Sequence, residues 1–228
     1  MASVDIRSAQ PGAARERDEA PGSERVLVVE GLCREFGARR VIDNFDLTVW
    51  AGERVALRGR NGSGKTTILR CILGTLTPTH GRIAIGGRPA GSLEARGLIG
   101  ALLPQERAFY LRLSGRTNLL FFAKIRGLDG REASRRVQEL DAELGLGEIL
   151  SRRLDRCSSG MLQKLALARG LIAEPPLLLL DEPTRSLDDA ATELLWAAID
   201  RRPETAIVIS THRPDDVARC DRVVHLGA

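Results

Sequence analysis

A chain of 228 residues has room for one α/β domain of about 200 residues with a sizeable core, and not for two complete nucleotide-binding domains. Its net charge of +4 comes from 34 basic and 30 acidic residues that interleave, and only 4% of residues are aromatic, so no basic, base-stacking surface stands out and no nucleic-acid partner is expected. The longest apolar run, residues 194–199, is far short of the ~20 residues needed to cross a bilayer, so the chain is expected not to span a membrane by itself.

Residues 1–25 mix Ala, Pro, Gly and Ser with both charges and hold no apolar stretch. They read as a disordered tail and not as a signal peptide. Residues 26–30 and 41–49 read as strands. After the Ala51-Gly52 turn, residues 53–58 alternate polar and apolar with Val55 and Leu57 on one face, as a strand does. Residues 67–73 carry a helical apolar stripe that stops at Gly74, a natural C-cap. Residues 81–85 read as a further strand before Gly86-Gly87, so a β-rich layer flanks this part of the chain.

From about Arg112 the pattern becomes helical: residues 117–126 end at Gly127 and residues 132–144 at Gly145, which suggests an inserted helical subdomain. A helix over about 161–172, a buried strand at 177–180, a helix over 190–201 and a strand at 206–210 follow. Strands alternating with helices imply a mostly parallel sheet with its site at the strand C-terminal ends. Cys33, Cys71, Cys157 and Cys220 are far apart and form no C-x-x-C pair. That argues against a structural zinc site and a disulfide framework, and for a reducing cytosol.

Between the strand at 53–58 and the helix at 67–73 stands Gly59-Arg60-Asn61-Gly62-Ser63-Gly64-Lys65-Thr66, which fits G-x-x-x-x-G-K-[ST]. In such a loop the backbone N–H groups wrap phosphates, Lys65 reaches the β and γ phosphates and the Thr66 hydroxyl can ligate Mg²⁺. Strand, glycine loop and helix come in the order that chemistry needs, because a helix N-terminus offers unpaired N–H donors and a positive dipole end to the phosphates. The strand at 177–180 ends in Asp181 and Glu182, with Pro175, Pro176 and Pro183 around it. Two acids thus leave the end of a core strand. In a phosphate-loop NTPase the first holds Mg²⁺, directly or through water, and its neighbour can orient or deprotonate the attacking water. An Asp-Glu pair elsewhere would read as a solvated strand end.

Over nearly all of residues 26–226 these motifs, with several others, resemble the ATP-binding cassette ATPases, the motor subunits of ABC transporters. Cys157-Ser158-Ser159-Gly160-Met161 lies between Gln105 and Asp181, where that family carries its L-S-G-G-Q signature, and the residues from Leu162 to Arg169 are similar to the helix that follows it. A Ser-Ser-Gly sequence is also a common helix start with serine caps. Gln105 in Leu103-Pro104-Gln105 resembles the glutamine that senses Mg²⁺ and the γ-phosphate. Ser186-Leu187-Asp188 resembles the D-loop, which would set Asp188 at the seam between two copies. His212 resembles the switch histidine that contacts the γ-phosphate, and Phe36 the aromatic that stacks on adenine. Thr67 closes the phosphate loop.

The resemblance implies a P-loop NTPase (RecA-like) α/β core with a mostly parallel sheet, an antiparallel β layer and an inserted helical subdomain at about 107–160, all within an ATP-binding domain at 26–226. It also implies ATP and Mg²⁺, with Glu182, His212 and Lys65 catalytic and Thr66, Gln105 and Asp181 at the metal. Two copies, or this chain and a related cassette, would sandwich two ATP molecules, each site joining Lys65, Asp181 and Glu182 of one chain to Ser158 and Gly160 of the other. Cys157, Ser159 and Met161 depart from the usual signature, while Ser158 and Gly160 keep the hydroxyl and the close backbone approach. That form resembles the branch whose separate membrane permease exports its cargo, which would put the chain on the cytoplasmic face of a membrane with Phe109, Tyr110 and Leu111 near the permease. The end at Ala228 suggests no C-terminal regulatory domain. The alternative is a soluble cassette acting on ribosomes or DNA; the 52-residue spacing from Gln105 to Cys157 and the single phosphate loop speak against the coiled-coil and two-cassette forms of that class. A GTPase would need [NT]-K-x-D, and none of Lys65, Lys124 and Lys164 is followed two residues later by Asp.

Overall fold

A computed structural model describes residues 24–103 and 109–227. The chain opens with a long hairpin, β1 (Arg25–Phe36) and β2 (Arg39–Trp50), and then enters β3 (Arg54–Gly59) and helix α1 (Lys65–Leu73). β4 (His80–Ile85), β5 (Arg88–Pro89), the short helix α2 (Leu93–Gly97) and β6 (Ile99–Leu102) follow. Next come α3 (Gly115–Ile125), α4 (Gly130–Leu144), two 3₁₀ turns at Gly147–Leu150 and Leu154–Arg156, and α5 (Ser159–Leu171). β7 (Leu177–Asp181), α6 (Asp189–Asp200), β8 (Ala206–Ser210), α7 (Pro214–Ala218) and β9 (Arg222–Leu226) complete the order.

These strands make two sheets. One is antiparallel in the order β2-β1-β4-β5; the other runs β6-β7-β8-β3-β9 with every pair parallel. The second order decides where chemistry can happen. It sets β7, β8 and β3 side by side, so the segments leaving their C-terminal ends, which carry Asp181-Glu182, Thr211-His212 and the phosphate loop, emerge as neighbours.

β7 and β8 are buried along their whole length, as strands covered on both faces are. Leu177, Leu179, Ala206 and Val208 pack with α1 and the antiparallel layer, while Leu178, Leu180, Ile207 and Ile209 pack with the helices on the other side. The sheet is thus a two-faced core, and it is continuous with the helical block through Leu165, Leu171 and Trp196.

The helical block starts and stops on local signals. Ser114 caps α3, and Asp129 with Glu132 forms a capping box at α4, whose far end turns at Gly145. At the end of α3 the Arg126 guanidinium reaches back to the main chain, donating to the carbonyls of Arg96 at 2.7 Å, of Gly97 at 2.9 Å and of Ile99. α5 lies unusually close to β6: a Cβ built on Gly100 would sit 2.2 Å from the Gly170 carbonyl oxygen and 2.7 Å from Pro175 Cγ. Nearby, the Arg169 guanidinium stands 5.1 Å and 5.4 Å from the Phe109 and Phe122 ring centres.

The parallel sheet, the antiparallel layer and the helical block match the fold read from sequence, with differences in detail. β6 and β9 were not anticipated; β1 runs on to Phe36, well past the expected 26–30, with charged residues carried across register shifts in its pairing, while β2 exceeds the expected 41–49 only slightly at each end. Arg25, assigned to the tail, opens β1 by pairing with Trp50. The rest of the expected tail, except Glu24, lies outside the described residues, as does Gln105.

Candidate functional site

The phosphate loop is built on the end of β3. Gly64, with φ at +97°, is the residue from which α1 starts, a conformation costly for a residue with Cβ. Gly59 is hemmed in: an added Cβ would meet the Leu226 carbonyl oxygen at 2.4 Å and Ser63 Oγ at 2.6 Å. The first turn of α1 has no intrahelical acceptors for its N–H groups, and these lie at Lys65, Thr66 and Thr67. Lys65 is only 8% exposed, and its ammonium donates to the carbonyls of Gly59 at 2.7 Å and Arg60 at 3.1 Å. Ser63 Oγ is buried with no hydrogen-bond partner inside the loop. A buried orphan hydroxyl among aligned backbone donors is what an oxyanion would satisfy.

The first acid of β7 joins this loop directly. Thr66 Oγ1 donates to Asp181 Oδ2 at 2.7 Å, and Ser210 Oγ at the end of β8 donates to Asp181 Oδ1. A hydroxyl and a carboxylate of this kind are hard oxygen donors of the type Mg²⁺ takes, so the residues present fit that ion. The second acid is held differently. Glu182 adopts φ +49°, a region that costs a non-glycine residue of order 1–3 kcal/mol. Its backbone is fixed on both sides: its N–H donates to the Ser210 carbonyl at 2.9 Å, and Gln163 Nε2 donates to the carbonyls of Glu182 at 3.3 Å and Pro183 at 2.8 Å. This strained turn brings the Glu182 carboxylate to 3.5 Å from His212 Nε2. His212, with Arg60 and Asn61, lines a cleft of about 450 Å³ beside the loop.

The remaining sequence-derived positions form a separate group. Ser158 accepts from the Met161 N–H at 3.3 Å as the N-cap of α5, and Asp188 accepts from the Ala191 N–H at 2.8 Å as the N-cap of α6. Gly160 lies against the turn before α6, where an added Cβ would come within 2.7 Å of the Ser186 carbonyl oxygen. The signature-like and D-loop-like segments therefore pack on each other. They share no hydrogen bond with residues 59–66 among the described residues. Phe36 sits at the hairpin tip, 47% exposed, with the Arg34 guanidinium 4.5 Å from its ring centre, so one face of the ring is covered. The same hairpin reaches the loop through Val41 and Ile42, the neighbours of Gly64.

Ser210 and Gln163 were missed from sequence. Ser210 had a signal available, since it ends the strand read at 206–210 of a sheet whose site was expected at strand C-terminal ends; Gln163 in the middle of a helix had none.

Against known proteins, the ABC transporter family profile matches residues 42–185. The ABC transporter ATP-binding protein NatA of Bacillus subtilis (strain 168) is 35% identical over 193 residues, covering 81% of this chain and 77% of NatA. Other matched relatives are named for phosphonate import and for Nod factor export. A solved ATP-binding subunit of an ABC transporter superposes with a TM-score of 0.82 at 31% identity, covering 89% of this chain and 86% of that one. The ATP-binding cassette MJ0796, solved as a dimer in a post-hydrolysis state with ADP and Pi, has a TM-score of 0.79 at 24% identity over 88% of this chain and 94% of its own, a likeness of fold.

Proposed function

The chain belongs to the ABC transporter family of ATP-binding proteins, and from that premise we propose that it is an ATP-hydrolysing subunit whose dimer drives export through a separate membrane permease. Residues 26–226 serve as the ATP-binding domain, with the helical part at about 107–160. The observation that carries this reading is the meeting of Thr66, Asp181, Ser210, Glu182 and His212 at three adjacent strand ends. It supplies phosphate donors, hard oxygens and a carboxylate near an imidazole within one cluster.

In this reading Gly59, Arg60, Asn61, Gly62, Ser63, Gly64 and Thr67 cradle the phosphates with their backbone, and the Lys65 ammonium exchanges its two carbonyl partners for phosphate oxygens. Thr66 and Asp181 hold Mg²⁺, assisted by Gln105; the ion when bound neutralises charge on the phosphates. Glu182 takes the proton of the attacking water or orients it, and His212 donates to the γ-phosphate. Phe36 stacks on adenine with the face that Arg34 leaves free.

Ser158 and Gly160 belong to the opposing site. That Gly160 packs on Ser186, and that neither residue hydrogen-bonds to its own phosphate loop among the described residues, supports a second cassette as their partner. Asp188 then lies at the seam. Because γ-phosphate contacts span both copies, ATP favours the closed dimer and hydrolysis releases it. No helix among the described residues is long and apolar enough to cross a membrane; in this reading the chain sits at the cytoplasmic face of its permease. Export is favoured over import by the Ser158-Ser159-Gly160-Met161 form of the signature.

Glu182→Gln tests the reading. The variant should bind ATP, shift to a dimer on gel filtration with ATP, and lose turnover by roughly 10²–10⁴-fold, the usual worth of a general base. Hydrolysis at the wild-type rate would refute the role of Glu182, and isolation of the chain without any membrane protein would refute the permease partner.

A further inference from the structure

α7 contains an aspartate that the site described so far does not use. Asp216 is 1% exposed, and no basic side chain pairs with it among the described residues. Its two oxygens are satisfied by neutral donors alone. Thr184 Oγ1 at 2.6 Å and Thr211 Oγ1 at 2.9 Å donate to Oδ2, and Trp196 Nε1 at 3.2 Å donates to Oδ1. Thr184, Thr211 and Trp196 are themselves at most 1% exposed. Burying a carboxylate without a counter-charge is expensive unless its hydrogen bonds are complete, and a core of this kind would be cheaper with an apolar residue.

The three donors come from three separate segments. Thr211 directly precedes His212, Thr184 follows Glu182 by two residues, and Trp196 belongs to α6. The consecutive residues Ser210, Thr211 and His212 therefore each meet a different carboxylate: Asp181, Asp216 and Glu182. A second strap follows the same route, since the Arg213 N–H donates to Thr211 Oγ1 at 3.1 Å and Arg213 Nη1 donates to the Thr184 carbonyl at 3.4 Å.

We propose that Asp216 is a positioning residue for hydrolysis, tying the segment that carries His212 to the segment that carries Glu182 and so setting their 3.5 Å approach. This inference rests on the reading of Glu182 and His212 as groups that act on ATP. Asp216 touches no substrate atom; it acts through its two threonines. Cutting it should loosen the alignment needed for the chemical step while leaving the phosphate loop, and hence nucleotide affinity, in place.

The test uses the full chain with Asp216→Asn. In asparagine an NH₂ takes the place of the oxygen that accepts from Trp196, donor against donor, so the side chain must shift away from Trp196 and its two threonine bonds loosen. Turnover should fall at least tenfold while the KM for ATP stays within threefold. Adding Trp196→Phe removes the opposing N–H and should bring turnover back to within threefold of Trp196→Phe alone, a rescue that general weakening of the fold does not give. Wild-type turnover in Asp216→Asn, a KM that rises in step with the loss of kcat, or no rescue by Trp196→Phe overturns the proposal. Should Asp216→Asn not fold, Thr211→Val carries the same expectation for kcat and KM, and a normal kcat there overturns it. A wild-type chain that hydrolyses no ATP defeats the functional reading itself, whereas an active wild type with an equally active Asp216→Asn defeats only this inference.

Discussion

Gly100 and Gly170 face each other across the contact of β6 with α5, yet replacing each by alanine should have opposite effects. At Gly100 the new Cβ would lie 2.2 Å from the Gly170 carbonyl oxygen, 2.7 Å from Pro175 Cγ and 3.0 Å from the Gly170 carbonyl carbon. Two of those three atoms are main chain of α5, so relief requires the helix and the strand to separate by about an ångström; overpacking of this kind costs about 1–3 kcal/mol, occasionally more. At 2–4 °C per kcal/mol for a chain of this size, the melting temperature should drop by about 2–12 °C. At Gly170 the new Cβ would meet Ala101 N, Ala101 O and Leu178 Cδ1 all at 3.5 Å, ordinary contact distance. The residue is helical, so alanine should gain about 0.5–1 kcal/mol by restricting the unfolded chain, a rise of about 1–4 °C. Thermal unfolding followed by circular dichroism, with denaturant midpoints as a second measure, separates the two variants. A Gly100→Ala protein that melts within about a degree of wild type, or a Gly170→Ala protein that melts below Gly100→Ala, would show that the close approach does not govern this interface.

Two further outcomes follow from the site and the core. Thr66→Ala removes one of the oxygens proposed to hold Mg²⁺, so the Mg²⁺ concentration for half-maximal hydrolysis should rise roughly 10–100-fold; an unchanged Mg²⁺ titration would take Thr66 out of the metal site. Burial pushes the Cys71 and Cys220 thiols up from the usual thiol value to about 11, so the folded state holds these protons more tightly than the unfolded chain. Stability is unaffected below the ordinary thiol range and is lost as pH rises through it toward about 11. Denaturant titrations across that alkaline window should show a slope that flattens in Cys71→Ala and Cys220→Ala, and an equal slope in all three proteins would contradict the assignment.

How much of this could be read from the sequence depended on whether a residue's neighbours in space were also its neighbours in the chain. The strand, glycine loop and helix around Lys65 form one continuous stretch, and their order alone gave the loop and its helix-end geometry. β7 was legible because four leucines between prolines leave no other element. β6 was not, since Ile99-Gly100-Ala101-Leu102 is short and carries a glycine whose purpose, admitting α5, exists only after packing. β9 escaped because an edge strand reading Arg222-Val223-Val224-His225-Leu226 shows little alternation. In the site, Asp181 and Glu182 announced themselves by their place at a strand end. Asp216 did not: beside Asp215 at the start of a short helix it reads as ordinary N-terminal helix charge, and only the fold distinguishes the buried member of the pair.

Arg126 grips carbonyl oxygens of residues 96, 97 and 99 and no side chain of theirs. Recognition of bare main chain asks no side-chain chemistry of those three positions for this contact, whereas the contact itself depends on the arginine; Ile99 is constrained separately, by its burial in the core. The joint is therefore asymmetric from the standpoint of protein engineering. A chimera that moves the helical block onto another cassette would bring its fastening with it, needing from the host only a main chain of the right course ahead of the strand, and a block lacking that one side chain could not borrow a substitute from the host's surface.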